Sequence, residues 1–290
     1  MKNLALLLLV ALSIAACQKE APTPGPRERG GILQFDSGPD FQGKLIAVHY
    51  FVPAGEASTM PFQIILHGAD RNARDYLAAW AQKAREYRFI AIAPEFAASD
   101  FSTAQYNEGN FISSGSINPP EKTTFALIDK IFAYVQEELG LSNEQYNLYG
   151  HSAGAQFIHR YLQFYDSPKV AKAVAANAGW YTFPDEDISY PYGIKGLFSD
   201  EAALRQNFYN QDLTLLLGTA DTLRNNNLRV TAQADNQGRN RLERGNAFFE
   251  RNQNQAASAN QNFQWQRVYV EGVGHDHRQM SPAAADFLYQ

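Results

Sequence analysis

The sequence predicts an α/β fold: a mostly parallel central sheet with helices on both faces. Short apolar runs of strand length alternate with stretches of helical periodicity, the pattern of strand–helix–strand units. The chain has 290 residues and is 45% hydrophobic, enough to bury one large core in a single domain. A Gly-x-Ser-x-Gly also falls between a predicted strand and a predicted helix.

The elements follow in order. Lys44 to Val52 and Phe62 to Leu66 read as strands, and Asn72 to Tyr87 as a helix with Leu77, Trp80, Ala81 and Ala84 on one face. Phe89 to Ala93 is a strand bounded by Pro94, and Phe125 to Leu139 an amphipathic helix closed by Gly140. Tyr146 to Tyr149, Ala171 to Ala176, Leu213 to Leu217 and Phe263 to Val270 complete the predicted strands, with helices over Ala153 to Tyr165 and Asn246 to Ala257. Ser281 is expected to cap a last helix, with Pro282 at its first position. Consecutive early strands between Ile32 and Val52, with no helix between them, predict an antiparallel edge.

Residues 1–16 read as a signal peptide. Lys2 supplies the positive start, Leu4 to Ala11 an apolar run too short to cross a bilayer, and Ala15 and Ala16 the small residues before Cys17. Ile14-Ala15-Ala16-Cys17 resembles the bacterial lipobox, which implies cleavage before Cys17 and lipid on its sulfur and new amino terminus. Cys17 is the sole cysteine, so no intrachain disulfide can form and lipidation accounts for the thiol. The expected localisation is the cell envelope, with the membrane as partner through that lipid. Gln18 rather than Asp follows Cys17, which points to the outer membrane if the host is Gram-negative. Residues 17–31 then form the lipidated Cys and a Pro-, Gly- and charge-rich tether, and residues 32–290 the folded domain. The formal charge is -5, and -6 once residues 1–16 and their one lysine are removed. No basic excess is left to hold a phosphate backbone, so nucleic acid is not an expected partner.

In Gly150-His151-Ser152-Ala153-Gly154 the glycines make room for a sharp turn that lifts the Ser152 hydroxyl clear of the sheet, and the helix that follows begins with free N–H groups. A nucleophilic serine needs a base, and the base an orienting carboxylate. Asp221 stands just beyond the strand ending in Leu217, and His275 just beyond the strand ending in Val270, in the chain order serine, acid, histidine. Asp212 precedes its strand and Asp235 lies farther along a polar loop, so Asp221 is the expected acid. The oxyanion of an acyl-transfer intermediate needs donors. The backbone N–H groups of Ala153, after the serine, and Ala69, after the strand ending in Leu66, are the expected pair. His275-Asp276-His277 has no second ligand cluster, so no metal is expected, and no cofactor is implied. The aromatic stretch from Trp180 to Phe198 would either wall an apolar pocket or pack a long loop, and residues 98–120 are expected to reach the same rim.

LHGAD, GHSAG, GTADT and GVGHD, in that order, resemble the motifs of the α/β-hydrolase superfamily, particularly its polyhydroxybutyrate depolymerase and feruloyl esterase-like branch. The resemblance covers residues 32 to 290 and implies the α/β-hydrolase fold. The expected function is a serine hydrolase of carboxylic esters, small or short polymeric, working through an acyl-enzyme. The alternatives are a serine peptidase of the same fold and a catalytically silent, lipid-anchored binding protein.

Overall fold

The computed structural model describes residues 27–290. In chain order its strands are β1 Arg29–Asp36, β2 Leu45–Val52, β3 Phe62–Leu66, β4 Ile90–Glu95, β5 Ile112–Ser113, β6 Ser116–Ile117, β7 Tyr146–His151, β8 Val170–Ala176, β9 Leu213–Gly218 and β10 Gln266–Val270. Its helices are α1 Ala73–Tyr87, α2 Thr103–Tyr106, α3 Phe125–Leu139, α4 Ala153–Phe164, α5 Glu201–Tyr209, α6 Ala232–Asp235, α7 Arg241–Ser258 and α8 His277–Tyr289. The expected signal peptide and Cys17 lie outside the described residues.

Eight strands form one sheet in the order β1-β2-β4-β3-β7-β8-β9-β10. β2 runs antiparallel to both β1 and β4, and every other pairing is parallel, so the antiparallel edge lies where the helix-free early strands predicted it. The central strands read as unbroken apolar runs because both faces are covered. Ile64 and Leu66 of β3 point into the core beneath α3, α4 and α7, whereas Ile65 points into the core beneath α1 and α8. The same alternation divides Leu148 from Tyr149 on β7 and Leu215 from Leu216 on β9.

The structure corrects two boundaries. β1 begins at Arg29, ahead of the expected domain start at residue 32, because Arg29, Gly30 and Gly31 pair with Val52, Phe51 and Tyr50. The last helix begins at His277, not Ser281. Asp276 caps it by accepting the Arg278 N–H at 2.8 Å, and Ser281 and Pro282 sit inside it. Burial of Met280, Ala284, Ala285 and Leu288 holds the helix through the proline. Helix α5 was not anticipated. It buries only Phe208 and Tyr209, too weak a stripe for periodicity to reveal, and Asp200 caps it.

Two fully buried histidines are locked in their neutral form by backbone N–H groups. His67 Nε2 accepts from Phe96 N–H at 3.1 Å while its Nδ1 bonds the Gly68 carbonyl at 2.9 Å. His159 Nε2 accepts from Thr182 N–H at 3.0 Å while its Nδ1 bonds the Ala155 carbonyl. Burial above all pushes His67 down to about 3 and holds His159 well below the usual histidine range. The unfolded chain therefore binds more protons below about pH 6.5, and stability present above that pH is lost as pH falls, by up to about 1.4 kcal/mol per pH unit for each ring. Thermal melts should show Tm falling by several degrees between pH 7 and pH 5, above the range where carboxylates titrate, and His159→Gln should flatten that slope. A Tm unchanged across the interval would contradict this.

Candidate active site

The carboxyl ends of the parallel strands place the chemistry. β7 ends at His151, α4 begins at Ala153, and Ser152 between them takes φ 57° and ψ -110°, a left-handed conformation costly for a residue with a Cβ. The flanking glycines explain how so sharp a turn fits. A Cβ on Gly150 would lie 2.4 Å from the backbone of Gly154, and one on Gly154 would lie 2.3 Å from the Leu66 carbonyl oxygen. Neither neighbour is a side chain that could swing away. Ser152 N–H donates to the Ala176 carbonyl at 2.9 Å, tying the turn to β8.

Ser152 Oγ lies 3.0 Å from His275 Nε2, and His275 Nδ1 lies 2.7 Å from Asp221 Oδ2. Asp221 is buried to 1% exposure, while the His275 side chain keeps 19%, open on the serine side. The loops carrying the two are stitched together because β9 and β10 are parallel neighbours. Ala220 N–H donates to the Val273 carbonyl, Thr219 N–H to the Val270 carbonyl, and Gly272 N–H to Thr219 Oγ1. Asn177, just past β8, bridges both loops by accepting from Gly218 N–H at 2.9 Å and donating to the Gly274 carbonyl at 3.3 Å. Asp212 sits before β9, its carbonyl accepting from Ala173 N–H, and Asp235 pairs with Arg224 and Arg244. Neither is near Ser152 in the hydrogen-bond network.

The Ala153 N–H opens helix α4, where no carbonyl lies one turn back to receive it. Ala69 is exposed in the turn after β3, and its N–H likewise has no backbone acceptor among the described residues. Gly68, Ala69, Ser152 and His275 share a cleft of about 200 Å³ whose remaining wall is polar, with Asp70, Asn72, Asn225, Asn227 and Asp276 among its residues.

Sequence reasoning gave no role to several groups here. The Tyr76 hydroxyl shares a hydrogen bond with His151 Nδ1 at 2.9 Å, and the Tyr76 ring stacks on His277 at 4.0 Å. The His151 ring lies 4.6 Å from that of His275. Burial, reinforced by His275, His277 and Arg241, holds His151 well below the usual range, and burial followed by Arg278 lowers His277. Both rings are neutral at neutral pH. The helical spacing of Tyr76 matches any core aromatic, so nothing local marks it.

The aromatic stretch packs its own loop. Tyr181 stacks on Phe248 at 4.4 Å and Phe198 on Phe164 at 5.9 Å, while Phe183 and Tyr192 line a separate cavity of about 290 Å³ away from Ser152. Residues 98–120 do meet the aromatic stretch, with Phe111 against Tyr190 and Phe198 and the Tyr190 hydroxyl donating to the Glu108 carbonyl at 3.3 Å, but they do not line the serine cleft. Tyr106 instead reaches beneath it, its hydroxyl donating to the His67 carbonyl at 2.8 Å. Among the described residues no group of His, Cys, Asp and Glu is arranged to hold a metal.

No family model matches the chain, and no curated protein sequence does. Solved structures do. A poly(aspartic acid) hydrolase from Sphingomonas sp. KT-1 is 36% identical, with a TM-score of 0.84 over 92% of this chain and 100% of that one. The chain belongs to the α/β-hydrolase superfamily. A poly(3-hydroxybutyrate) depolymerase from Bordetella parapertussis is 28% identical, with a TM-score of 0.83 over 90% of each chain. An S-formylglutathione hydrolase from Agrobacterium tumefaciens, 14% identical with a TM-score of 0.56 over 92% of this chain and 95% of that one, agrees in fold. This α/β-hydrolase is a hydrolytic enzyme.

Gly154→Ala should drive a methyl group into the Leu66 carbonyl and force α4 away from β3, at a cost of about 1–3 kcal/mol. Thermal melts should show a lower Tm, with the loss of Ser152-directed turnover exceeding what unfolding accounts for. Wild-type stability in Gly154→Ala would refute the close-contact account.

Proposed function

We propose that this enzyme hydrolyses carboxylic esters through an acyl-enzyme formed on Ser152. The observation that carries the reading is the unbroken chain of hydrogen-bond distances from Ser152 through His275 to buried Asp221. Asp221 holds His275 with Nδ1 protonated, leaving Nε2 free to take the serine proton as Oγ attacks the carbonyl carbon. The Ala69 and Ala153 N–H groups receive the negative charge that develops on the carbonyl oxygen. His275 then gives its proton to the departing alcohol, and water attacks the acyl-serine by the same route in reverse. The polar cleft favours a short, hydrogen-bonding substrate over a long fatty chain.

A second reading keeps the machinery and changes the bond: an amide in a carboxylate-bearing chain. Its support is the likeness to the poly(aspartic acid) hydrolase, together with one exposed guanidinium near the cleft. Arg229 lies 4.7 Å from the Trp180 ring and has no carboxylate ion-pair partner among the described residues. Arg229 is exposed and lies two residues along the chain from Asn227 of the cleft wall. Comparing kcat/KM on a short aryl ester with that on poly(aspartic acid) separates the readings.

The proposed setting is the cell envelope, with lipid on Cys17 and, in a Gram-negative host, the outer membrane. Its support is the lipobox-like leader. Several acyl chains at about 0.8 kcal/mol per buried methylene make such an anchor stable.

A fluorophosphonate probe should label the wild-type enzyme and not Ser152→Ala. His275→Ala should lower turnover of a short aryl ester by about 10⁴ or more while circular dichroism stays unchanged, and His277→Ala should cost far less. Labelling that survives Ser152→Ala would overturn the acyl-enzyme reading, and the reverse order of the two histidine variants would overturn the assignment of the base. In the producing cell, Cys17→Ser should leave the protein in the soluble fraction. A variant that still pellets with membranes after a high-salt wash would refute the anchor.

A further inference from the structure

Asp221 uses only one carboxylate oxygen on His275. The other, Oδ1, faces the guanidinium of Arg241 at 3.5 Å, and both side chains are buried to 1% exposure. Arg241 is the first residue of α7, whose start is set by Asn240 accepting from Glu243 N–H at 2.9 Å. The next residue, Leu242, donates its N–H to the Asp221 carbonyl at 3.3 Å. The first turn of α7 therefore meets the acid twice, by a main-chain hydrogen bond and by a side-chain charge contact in which neither Oδ1 nor the guanidinium makes a hydrogen bond.

None of the three Arg241 nitrogens has a hydrogen-bond partner among the described residues, so Asp221 is the one carboxylate its charge faces. Burial pulls the guanidinium below its ordinary range and Asp221 opposes that pull. A fully buried arginine is an expensive way to fill space, since an apolar side chain of similar volume packs as well without losing hydration. Its location against the free oxygen of the acid gives it a use. With Oδ1 released, the carboxylate can rotate and Oδ2 leaves Nδ1. The imidazole then loses the tautomer in which Nε2 can accept the serine proton.

We infer that Arg241 is a positioning residue for this hydrolase, holding Asp221 Oδ1 so that Oδ2 stays aimed at His275. The inference rests on the acyl-enzyme reading, and its test separates the two. Arg241→Gln and Arg241→Lys are made in the wild type and in Asp221→Asn, with kcat, KM, fluorophosphonate labelling rate and Tm measured for each. In the wild type, Arg241→Gln should lower kcat and the labelling rate together by about 10- to 100-fold with KM within about twofold, and Arg241→Lys should recover most of the loss. In Asp221→Asn, where no carboxylate remains to be held, Arg241→Gln should change kcat by less than about twofold. It should also leave Tm unchanged or higher, because it removes a buried charge without a partner. Equal fold-losses in the two backgrounds, or no loss in the wild type, would overturn the inference. If Arg241→Gln alone fails to fold, the comparison within Asp221→Asn and the Arg241→Lys rescue decide by the same criteria. Labelling that survives Ser152→Ala sinks the acyl-enzyme reading itself, whereas labelling lost in Ser152→Ala with additive Arg241 effects sinks only the role of Arg241.

Discussion

The site depends on a close approach of two backbones. Gly154, at the start of α4, lies so near the Leu66 carbonyl at the end of β3 that a single methyl group cannot be inserted. That contact seats α4 against the sheet, and Gly150 against Gly154 closes the turn from beneath. The strain at Ser152, of order 1–3 kcal/mol for a left-handed non-glycine residue, is held in place by this packing and by the bond from its N–H to Ala176. The Ser152 side chain, which lines the cleft, and the N–H of Ala153 that follows it both take their positions from this one turn.

Electrostatics at the site divides labour among similar groups. Three imidazoles lie beside the serine, and burial holds His151 and His277 below the usual histidine range, so neither adds a positive charge next to His275. The Tyr76 hydroxyl and ring fix the orientation of both. On the far side of His275, the Asp221 carboxylate and the Arg241 guanidinium form a pair with little net charge, so the acid can be buried without standing alone.

Much of this was legible in the sequence because the relevant constraints are local. The strand–helix alternation, the antiparallel edge and the Gly-x-Ser-x-Gly turn follow from periodicity and glycine placement, and Asp221 and His275 stand directly after apolar strands whose ends must meet at one sheet edge. What could not be read depends on distant packing. Tyr76 and Arg241 reach the site from the first turns of two helices, α1 and α7, and no local pattern distinguishes them from a core aromatic and a surface cation. The last helix starts ahead of Ser281 because Asp276 can cap as well as Ser281, and sequence alone does not tell which of them keeps its side chain free to do so. The aromatic stretch after Trp180 offered two readings, and the geometry of Tyr181 on Phe248 favours loop packing.

The polarity of the sheet has a consequence for access. β1 is antiparallel to β2, which is antiparallel to β4, so β1 points the same way as the parallel strands and Arg29 enters the fold at the edge opposite Ser152. A molecule leashed by its amino terminus would thus turn its back to the leash point and open its mouth away from it. The polar wall of Asp70, Asn72, Asn225 and Asn227 suits substrates that travel in water rather than ones drawn from a lipid layer.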